Sequence, residues 1–380
     1  EKTTEGLQNA FNYAYENGYK NVFLTKGNYL INCENQLTDI LKGGLLLPSG
    51  LTLVMDNEVA LIVKKNSLTS YALLLIEKSN SGGVIGGNLI GDRDTHDFSD
   101  SSSHEGCHLI TIRLSRNIKI ESVSMEKATG DCMCIGGGYA YGDEGYFRPN
   151  NISVKNCILD GARRNNISVI DCQFLNISNN TIKNAGTVNG TLPKAGIDLE
   201  SNRRSTEWQE VYDVTITNNK FVNNYQASVI NYNAFRVVVA NNICDSSIDA
   251  GYGRNTIISN NVIDATNSIN ITPGIITRYM NENVDNQVLI ANNQLTKCSM
   301  SISGLNIEVL NNKIKQGNIN LSRINTCRID GNIINTVDTH GILLNGDIEN
   351  KNINILNNDI YGYNVRNIYG ICVRKISPDG

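Results

Sequence analysis

Proline, tryptophan and charge are all sparse in this chain, and each shortage narrows the class of protein it can be. The 380 residues include 5 prolines and 1 tryptophan, and charged residues make up 18%. No basic stripe stands out and the formal net charge is −4, so nucleic acid is not an expected partner. No apolar run reaches the roughly 18 residues of a membrane-spanning helix, so no membrane is expected. Alanine and leucine do not dominate, whereas asparagine is abundant, which argues against a helical protein.

Ten cysteines are too thinly spread along the chain for a disulfide framework, which belongs to short chains with little core. The only close pair, Cys132 and Cys134, has one residue between its members, and that is not a usual zinc spacing. We therefore interpret most of the cysteines as small buried hydrophobic residues. They are Cys33, Cys107, Cys132, Cys134, Cys157, Cys172, Cys244, Cys298, Cys327 and Cys372.

A short asparagine-rich unit recurs with a ragged period of about 19 to 24 residues plus insertions. Its copies read NISNNTI, TITNNKF, VVANNIC, IISNNVI, LIANNQL, EVLNNKI and NILNNDI. Their second asparagines are Asn180, Asn219, Asn242, Asn261, Asn293, Asn312 and Asn358. In SVKNCIL, KIESVSM and RIDGNII, the same slot is assigned to Asn156, Ser122 and Gly331.

These units predict an all-β solenoid. Each contains two short β-patterned runs and cannot bury its own apolar face, so the units must stack around a continuous core. Asparagine tolerates positive φ at a tight corner, and stacked asparagine amides can hydrogen-bond into a ladder. We predict a right-handed parallel β-helix over residues 36–380.

Residues 1–35 are predicted to form an N-terminal helical cap and the first strands. An open solenoid end exposes strand edges and apolar core, and an amphipathic helix can cover them. The predicted apolar face comprises Leu7, Ala10, Phe11 and Ala14, with Thr3 or Thr4 as the N-cap and Gly18 as the stop.

The helix, the segment VFLTKGNYLI and the coils resemble the pectate-lyase-like superfamily of parallel β-helix proteins. That superfamily includes polysaccharide lyases, glycoside hydrolases, uronan epimerases and bacteriophage tail-spike or appendage depolymerases. A narrower resemblance, to bacterial and phage members from Gram-positive systems, lies in GDRDTHDF, ATGDCMCIGG, ARRNNISVI and PKAGIDLESN. Some of those phage members act on cell-wall teichoic acid or capsule. Cys132 departs from their usual G-D-G pattern but leaves Asp131 in place.

Three of these segments align as successive coils, and the alignment predicts a catalytic pair. Met133, Ile167 and Ile197 fall in one inward column. Asp198 and Glu200 would then both face solvent, about 6.6 Å apart along the strand. One carboxyl of such a pair can hold a raised pKa while the other stays ionised, and about 6.5 Å or more suits inverting glycoside hydrolysis. Asp131 is predicted as an auxiliary acid, although a turn residue bonded to its own backbone is the alternative.

Substrate-binding residues are predicted around this pair. Arg163 and Arg164 precede the middle strand and could fork onto a carboxylate or phosphate of a polymer, or could form salt bridges that hold the face together. Asp92 and Arg93 open a long polar insertion of the kind that often walls a binding site. Trp208 suits sugar stacking, and packing at the base of its loop is the alternative. No metal or other cofactor is predicted; calcium, which some lyases of the superfamily use, is the alternative.

Three functions remain open at this point. The first is a depolymerase of a bacterial surface glycopolymer, either teichoic acid or capsular polysaccharide, using acid/base hydrolysis. The second is a lyase or uronan epimerase in which Arg163, Arg164 or Lys194 abstracts a proton. The third is a non-catalytic phage adhesin. An extracellular location, on a virion tail or cell surface, goes with all three, and a homotrimer is compatible with each. The first residues do not read as a signal peptide, and the abrupt start is what a piece of a longer protein would show.

Overall fold

The computed structural model describes residues 2–100, 102–139, 141–201, 203–204, 207–270, 273–279, 285–337, 339–345, 350–362 and 369–374, without the side chains of 203, 204, 207, 208 and 374. The chain divides into two compact units, Glu1–Val214 and Thr215–Gly380. The predicted division at residues 35 and 36 stays a prediction. Among the described residues, no helix is long and apolar enough to cross a membrane.

Unit one holds one helix followed by short strands. They are α1 (Lys2–Glu16), β1 (Asn21–Leu24), β2 (Gly27–Ile31), β3 (Asn35–Thr38), β4 (Leu41–Leu46), β5 (Thr52–Met55), β6 (Val59–Val63), β7 (Ser70–Glu77), β8 (Gly82–Ile85), β9 (Asn88–Ile90), β10 (Gly106–Arg113), β11 (Arg116–Glu121), β12 (Ser124–Glu126), β13 (Met133–Ile135), β14 (Asn150–Lys155), β15 (Ile158–Asp160), β16 (Ile167–Val169), β17 (Cys172–Ser178), β18 (Thr181–Lys183), β19 (Ala195–Leu199), β20 (Arg203–Arg204) and β21 (Glu207–Trp208). Strand β22 (Val211–Thr217) contains the boundary.

Three strands per coil form three parallel faces in unit one. The face that we call the site face runs β4, β7, β10, β13, β16 and β19. The second face contains β1, β5, β8, β11, β14 and β17, and the third contains β2, β6, β9, β12, β15 and β18. Apart from two antiparallel pairs, β3 with β4 and β20 with β21, consecutive strands of the chain therefore lie on different faces and pair with the next coil. This arrangement confirms the parallel β-helix.

Unit two repeats the pattern. Its elements are β23 (Lys220–Val222), β24 (Ala227–Asn231), β25 (Phe235–Ala240), β26 (Ile243–Cys244), β27 (Ile248–Asp249), β28 (Arg254–Ser259), β29 (Val262–Asp264), a 3-10 turn (Ala265–Asn267), β30 (Ile275–Ile276), β31 (Val288–Ala291), β32 (Gln294–Thr296), β33 (Met300–Leu310), β34 (Lys313–Lys315), β35 (Ile319–Asp330), β36 (Ile333–Asn335), β37 (Ile342–Asn345), β38 (Lys351–Leu356), β39 (Asp359–Tyr361) and β40 (Ile371–Arg374). Strands β33 and β35 each pair with strands of two faces, because they run without a break around the corner.

The asparagine unit separates into two slots with different roles. The first asparagine has positive φ, as at Asn260 (φ 56) and Asn311 (φ 54). The second forms the ladder, in which the backbone N–H and side-chain amide of one asparagine both donate to Oδ1 of the next at 2.9–3.1 Å. In unit two the ladder runs Asn219, Asn242, Asn261, Asn293, Asn312, Asn332 and Asn358.

For three residues, the predicted place in the repeat unit was wrong by one residue: they lie in the first slot and not in the ladder. Asn332, and not Gly331, stands in the ladder, while Gly331 (φ 66) takes the left-handed slot that asparagine fills elsewhere. Ser122 (φ 55) and Asn156 (φ 56) also lie in the left-handed slot. The reason is steric: glycine can supply the φ that the first slot requires, but it has no amide for the ladder.

Helix α1 buries Leu7, Phe11 and Ala14, as predicted, together with Thr4. Ala10 is exposed, so that part of the predicted face is wrong. Neither Thr3 nor Thr4 is an N-cap, because both lie within the helix. The Thr4 hydroxyl instead accepts a hydrogen bond from the backbone N–H of Asn32 at 2.8 Å. The role of this helix as a cap stays a prediction.

All ten cysteines are free thiols, and all but Cys372 are buried. The interpretation of most of them as small buried hydrophobic residues is confirmed.

Candidate active site

The predicted alignment of three coils is confirmed on the site face. Met133 pairs with Ile167 and Ile167 with Ile197, and all three are fully buried. Each such side chain contributes about 1.5–3 kcal/mol through burial, so the register of these strands is strongly specified. The alternate column holds Cys134, Ser168 and Asp198.

The expectation that this alternate column faces solvent was wrong. Asp198 is 2% exposed, and Cys134 and Ser168 are also buried. The turn before β16 explains the burial, because its side chains fold over the column. Asn165 Nδ2 donates to Ser168 Oγ at 3.0 Å and to Asp198 Oδ2 at 3.3 Å. Arg164 Nη1 donates to Ser168 Oγ at 3.0 Å.

Asp198 and Glu200 form an interacting carboxyl pair with one buried and one accessible member. Burial and the neighbouring Glu200 carboxylate raise the pKa of Asp198 from 3.8 to about 7, against the opposing effect of Arg164. The Glu200 side chain is 45% exposed. Because the Glu200 carboxylate disfavours ionisation of Asp198, the pair suits one proton held near neutral pH rather than two independent acids. The predicted inverting separation stays a prediction.

Arg164 connects this pair to two further carboxylates. Its guanidinium lies 3.4 Å from Glu200 Oε2, 3.3 Å from Asp131 Oδ2 and 3.9 Å from Glu105 Oε2. Burial disfavours its charge, but the surrounding carboxylates outweigh burial and hold the pKa of Arg164 above its ordinary value. A permanently protonated Arg164 cannot abstract a proton. Its contacts match the salt-bridge alternative more closely than the predicted anion clamp.

Asp131 lies behind Arg164 and is fully buried. Its Oδ1 accepts the backbone N–H of Asn165 at 2.9 Å, and Oδ2 contacts Arg164. The predicted turn interaction with its own backbone is replaced by these contacts to the next coil. Asp131 can thus act on a substrate only through its neighbours.

His108 is a member of this cluster that sequence reasoning missed. It lies in β10, and its Nδ1 is 3.5 Å from Asp131 Oδ2 and accepts the backbone N–H of Asp131 at 3.2 Å. Burial lowers the pKa of His108 to about 4, with Arg164 and Arg113 adding to the effect and Asp131 opposing it. The signal in the sequence was an isolated histidine in the strand GCHLITI, one coil before Asp131.

His108, Asp131 and Cys134 bring three potential metal-ligand atoms within 4.8 Å of one another. They do not fit the calcium alternative, because calcium prefers oxygen ligands. A softer cation would compete with Arg164 for Asp131 and with a backbone N–H for His108 Nδ1. The expectation of no metal stays a prediction.

Arg163 has different contacts from its neighbour Arg164. It is buried, donates to the carbonyls of Thr129 and Ser103, and lies over the Phe98 ring at 5.0 Å. These contacts fix the polar insertion to the coil below. The described contacts therefore give Arg163 a structural role, and not the predicted one in substrate binding.

Asp92 is also buried within unit one and does not line the site. It accepts hydrogen bonds from Tyr71 (2.5 Å), Thr129 (2.7 Å) and Asn66 (3.0 Å), and contacts His96 Nδ1 at 2.7 Å. Burial alone would raise the pKa of Asp92, but the hydrogen bonds with His96, Tyr71 and Thr129 lower it below 3.8. The predicted contact of Asp92 with a polymer is incompatible with this enclosure.

Arg93 and Trp208 complete the predicted set. Arg93 forms an ion pair with Asp94 at 2.8 Å and donates to the carbonyl of Gly161, away from the carboxyl pair. The backbone of Trp208 pairs with Arg203 in the antiparallel ribbon of β20 and β21. The Trp208 side chain lies outside the described part of the chain, so its predicted stacking role stays a prediction.

Comparison with known proteins places the chain near phage and bacterial β-helix proteins. No protein-family model matches it. It is 30% identical to the uncharacterized protein YclG of Bacillus subtilis (strain 168) over 347 residues, which is 87% of this chain and 59% of that protein. It is 30% identical to the SPbeta prophage-derived uncharacterized protein YorA of the same organism over 335 residues, 83% of this chain and 56% of that protein. The chain thus spans less than two thirds of these relatives.

Solved structures with similar folds are parallel β-helix proteins. The mannuronan C-5 epimerase AlgE4 A-module of Azotobacter vinelandii superposes with a TM-score of 0.58 at 15% identity, over 98% of this chain and 93% of that one. The tailspike protein of E. coli bacteriophage HK620, in complex with a pentasaccharide, gives 0.55 at 13% identity, over 90% and 63%. PfbA, a surface adhesin of Streptococcus pneumoniae, gives 0.53 at 15% identity, over 99% and 90%. At these identities the likeness establishes the fold.

Proposed function

We propose that this chain cleaves a glycopolymer of the bacterial surface by acid/base hydrolysis on the site face. One observation carries the proposal: Glu200 is accessible and lies close enough to Asp198 for its carboxylate, together with burial, to raise the pKa of Asp198 to about 7. A carboxyl pair that keeps a proton near neutral pH can donate it to a leaving oxygen, which the hydrolysis of a glycosidic bond requires.

The roles within the pair follow from exposure. Glu200 is the member that contacts the glycosidic oxygen, because Asp198 is covered by Asn165 and Arg164. Asp198 keeps a proton on the pair near neutral pH. Glu200 delivers this proton to the leaving oxygen as the glycosidic C–O bond breaks, water adds to the anomeric carbon, and the proton that water loses returns to the pair. Arg164 keeps Glu200 oriented and stabilises the carboxylate that remains after proton transfer. Asp131, the predicted auxiliary acid, contributes by holding the Arg164 guanidinium beside Glu200.

The test compares amide variants with the parent chain on purified wall polymers. Glu200→Gln should lower kcat at least about 100-fold, since general acid catalysis contributes roughly 10² to 10⁴ in rate. Asp198→Asn should lower kcat by a similar factor, because the amide cannot keep a proton on the pair. Glu121→Gln, a carboxyl at the end of β11 on the second face, is the matched control and should keep full activity.

The results also separate the other two functions. Fragments that contain a new double bond and absorb ultraviolet light would indicate a lyase. Tight binding without any product, in the parent chain and the variants alike, would indicate an adhesin. Parent-level activity in both Glu200→Gln and Asp198→Asn would remove the carboxyl pair from the mechanism.

The polymer and the location are part of the proposal. The prophage origin of one relative and the phage tailspike fold support a virion tail or cell-surface location. We propose teichoic acid or capsular polysaccharide of a Gram-positive bacterium as the substrate class. The homotrimer stays a prediction that sedimentation would test.

A further inference from the structure

His108 is a titratable side chain of the site that the proposed acid/base mechanism does not use. It lies in β10, and Arg164 connects its partner Asp131 to Glu200. The Asp131 carboxylate therefore separates His108 from the guanidinium, and Glu200 lies on the far side of that guanidinium. A polymer bound along the site face at Glu200 would extend over several coils, in the direction of the strand that carries His108.

The tautomer of His108 is fixed by a backbone group. The Asp131 N–H donates to Nδ1 at 3.2 Å, so Nδ1 must carry a lone pair. Asp131 Oδ2, which could accept a hydrogen bond from a protonated Nδ1, is farther away at 3.5 Å and forms no hydrogen bond with it. A neutral imidazole has a single N–H, which is therefore on Nε2.

The other ring nitrogen is available to a ligand. Nδ1 is the nitrogen that faces Asp131, and one ring carbon separates it from Nε2. No described residue pairs with Nε2, and the His108 side chain is 12% exposed. The low pKa of His108, about 4, keeps the ring neutral across the physiological range.

We propose that His108 is a fixed, neutral hydrogen-bond donor whose Nε2–H binds an uncharged oxygen atom of the polymer, either a sugar hydroxyl or an acyl carbonyl. This inference rests on the proposed function of the site. It adds a substrate-binding residue to the cluster and assigns the chemistry of the group that His108 recognises. An imidazolium would favour an anionic oxygen, whereas a neutral N–H favours an uncharged one.

Two amide substitutions separate this role from a structural one. In His108→Gln the side-chain amide nitrogen falls near Nε2 and keeps the donor. In His108→Asn the amide oxygen falls near Nδ1 and keeps the acceptor for the Asp131 N–H. On the wall polymer that the parent chain cleaves, His108→Asn should lower kcat/KM by about tenfold, the worth of one hydrogen bond, while His108→Gln stays within about threefold. A structural role predicts the reverse order.

A second measurement does not depend on turnover. Nitrogen-15 NMR of the intact, histidine-labelled chain should show Nε2 protonated and Nδ1 bare from pH 5.5 to 8. A protonated Nδ1, or an imidazolium at pH 6, would overturn the inference, as would full activity of His108→Asn. If the parent chain binds and cleaves no polymer, the proposed function fails together with this one. If the parent cleaves and His108→Asn matches it, this inference alone fails. Equal melting temperatures of the three proteins exclude misfolding.

Discussion

At the scale of single residues, the main feature of the site is that Asp198 lies where a carboxyl group is costly to ionise. Asn165 covers it, the nearby Glu200 carboxylate disfavours its charge, and its exposed fraction is 2%. An aspartate retained there in spite of that cost is typical of functional sites, where perturbed pKa values cluster. Arg164 offsets part of the cost, and its contacts with Asp131 and Glu200 hold the cluster together.

The raised pKa of Asp198 predicts a specific dependence of stability on pH. Since the pKa is about 7 in the folded chain and 3.8 is the ordinary value, the contribution of the protonated form is complete below pH 3.8 and is lost as the pH rises through 7. Asp198→Asn has no charge to bury. Its melting temperature relative to the parent should therefore increase between pH 5 and pH 8.

Thermal unfolding of both proteins at these two pH values measures the effect. Glu121→Gln serves again as the control, and its difference from the parent should be nearly constant. A constant difference for Asp198→Asn as well would mean that Asp198 titrates normally in the folded chain.

At the scale of secondary-structure elements, the main feature of unit two is the asparagine ladder. Asn261 is fully buried, accepts two hydrogen bonds from Asn242 and donates two to Asn293, with a third donated to the carbonyl of Val239. The ladder thus joins the corners of neighbouring coils in unit two. Asn260, one residue earlier, is exposed and serves the left-handed turn instead.

Removing one rung should destabilise unit two much more than changing its neighbour. Asn261→Ala leaves buried partners on both sides without their hydrogen bonds, and we expect a loss of about 2–4 kcal/mol in the free energy of unfolding. Asn260→Gly should change it by less than about 1 kcal/mol, because Gly331 occupies the equivalent slot naturally. Urea unfolding of both variants gives the comparison. Equal losses would show that the ladder adds nothing beyond the turn.

At the scale of the whole molecule, the sequence was sufficient for the coil and its register, because stacked Ile and Leu columns are a local pattern repeated along the chain. The pairing of Ile167 with Ile197 followed from that pattern. The burial of Asp198 did not follow from that pattern, because Asn165, which covers it, belongs to the previous coil. His108 was missed for a similar reason: its partner, Asp131, is in the next coil.

The interaction between the Asp198 and Glu200 carboxyls could not be predicted from strand geometry alone. Backbone spacing alone separates i and i+2 side chains by about 6.6 Å. The interaction of Glu200 with Asp198 depends on side-chain conformation, and Arg164 contacts Glu200 and so influences it. No periodic pattern in a sequence reports such a contact.

Mass spectrometry of the products from purified Gram-positive wall polymers tests the central claim most directly. The parent chain should release fragments that have gained one water per cleaved bond, with Glu200→Gln as the blank. Polymers that bind to the chain and remain intact, or fragments that carry a double bond and no added water, would contradict hydrolysis by the Asp198 and Glu200 pair.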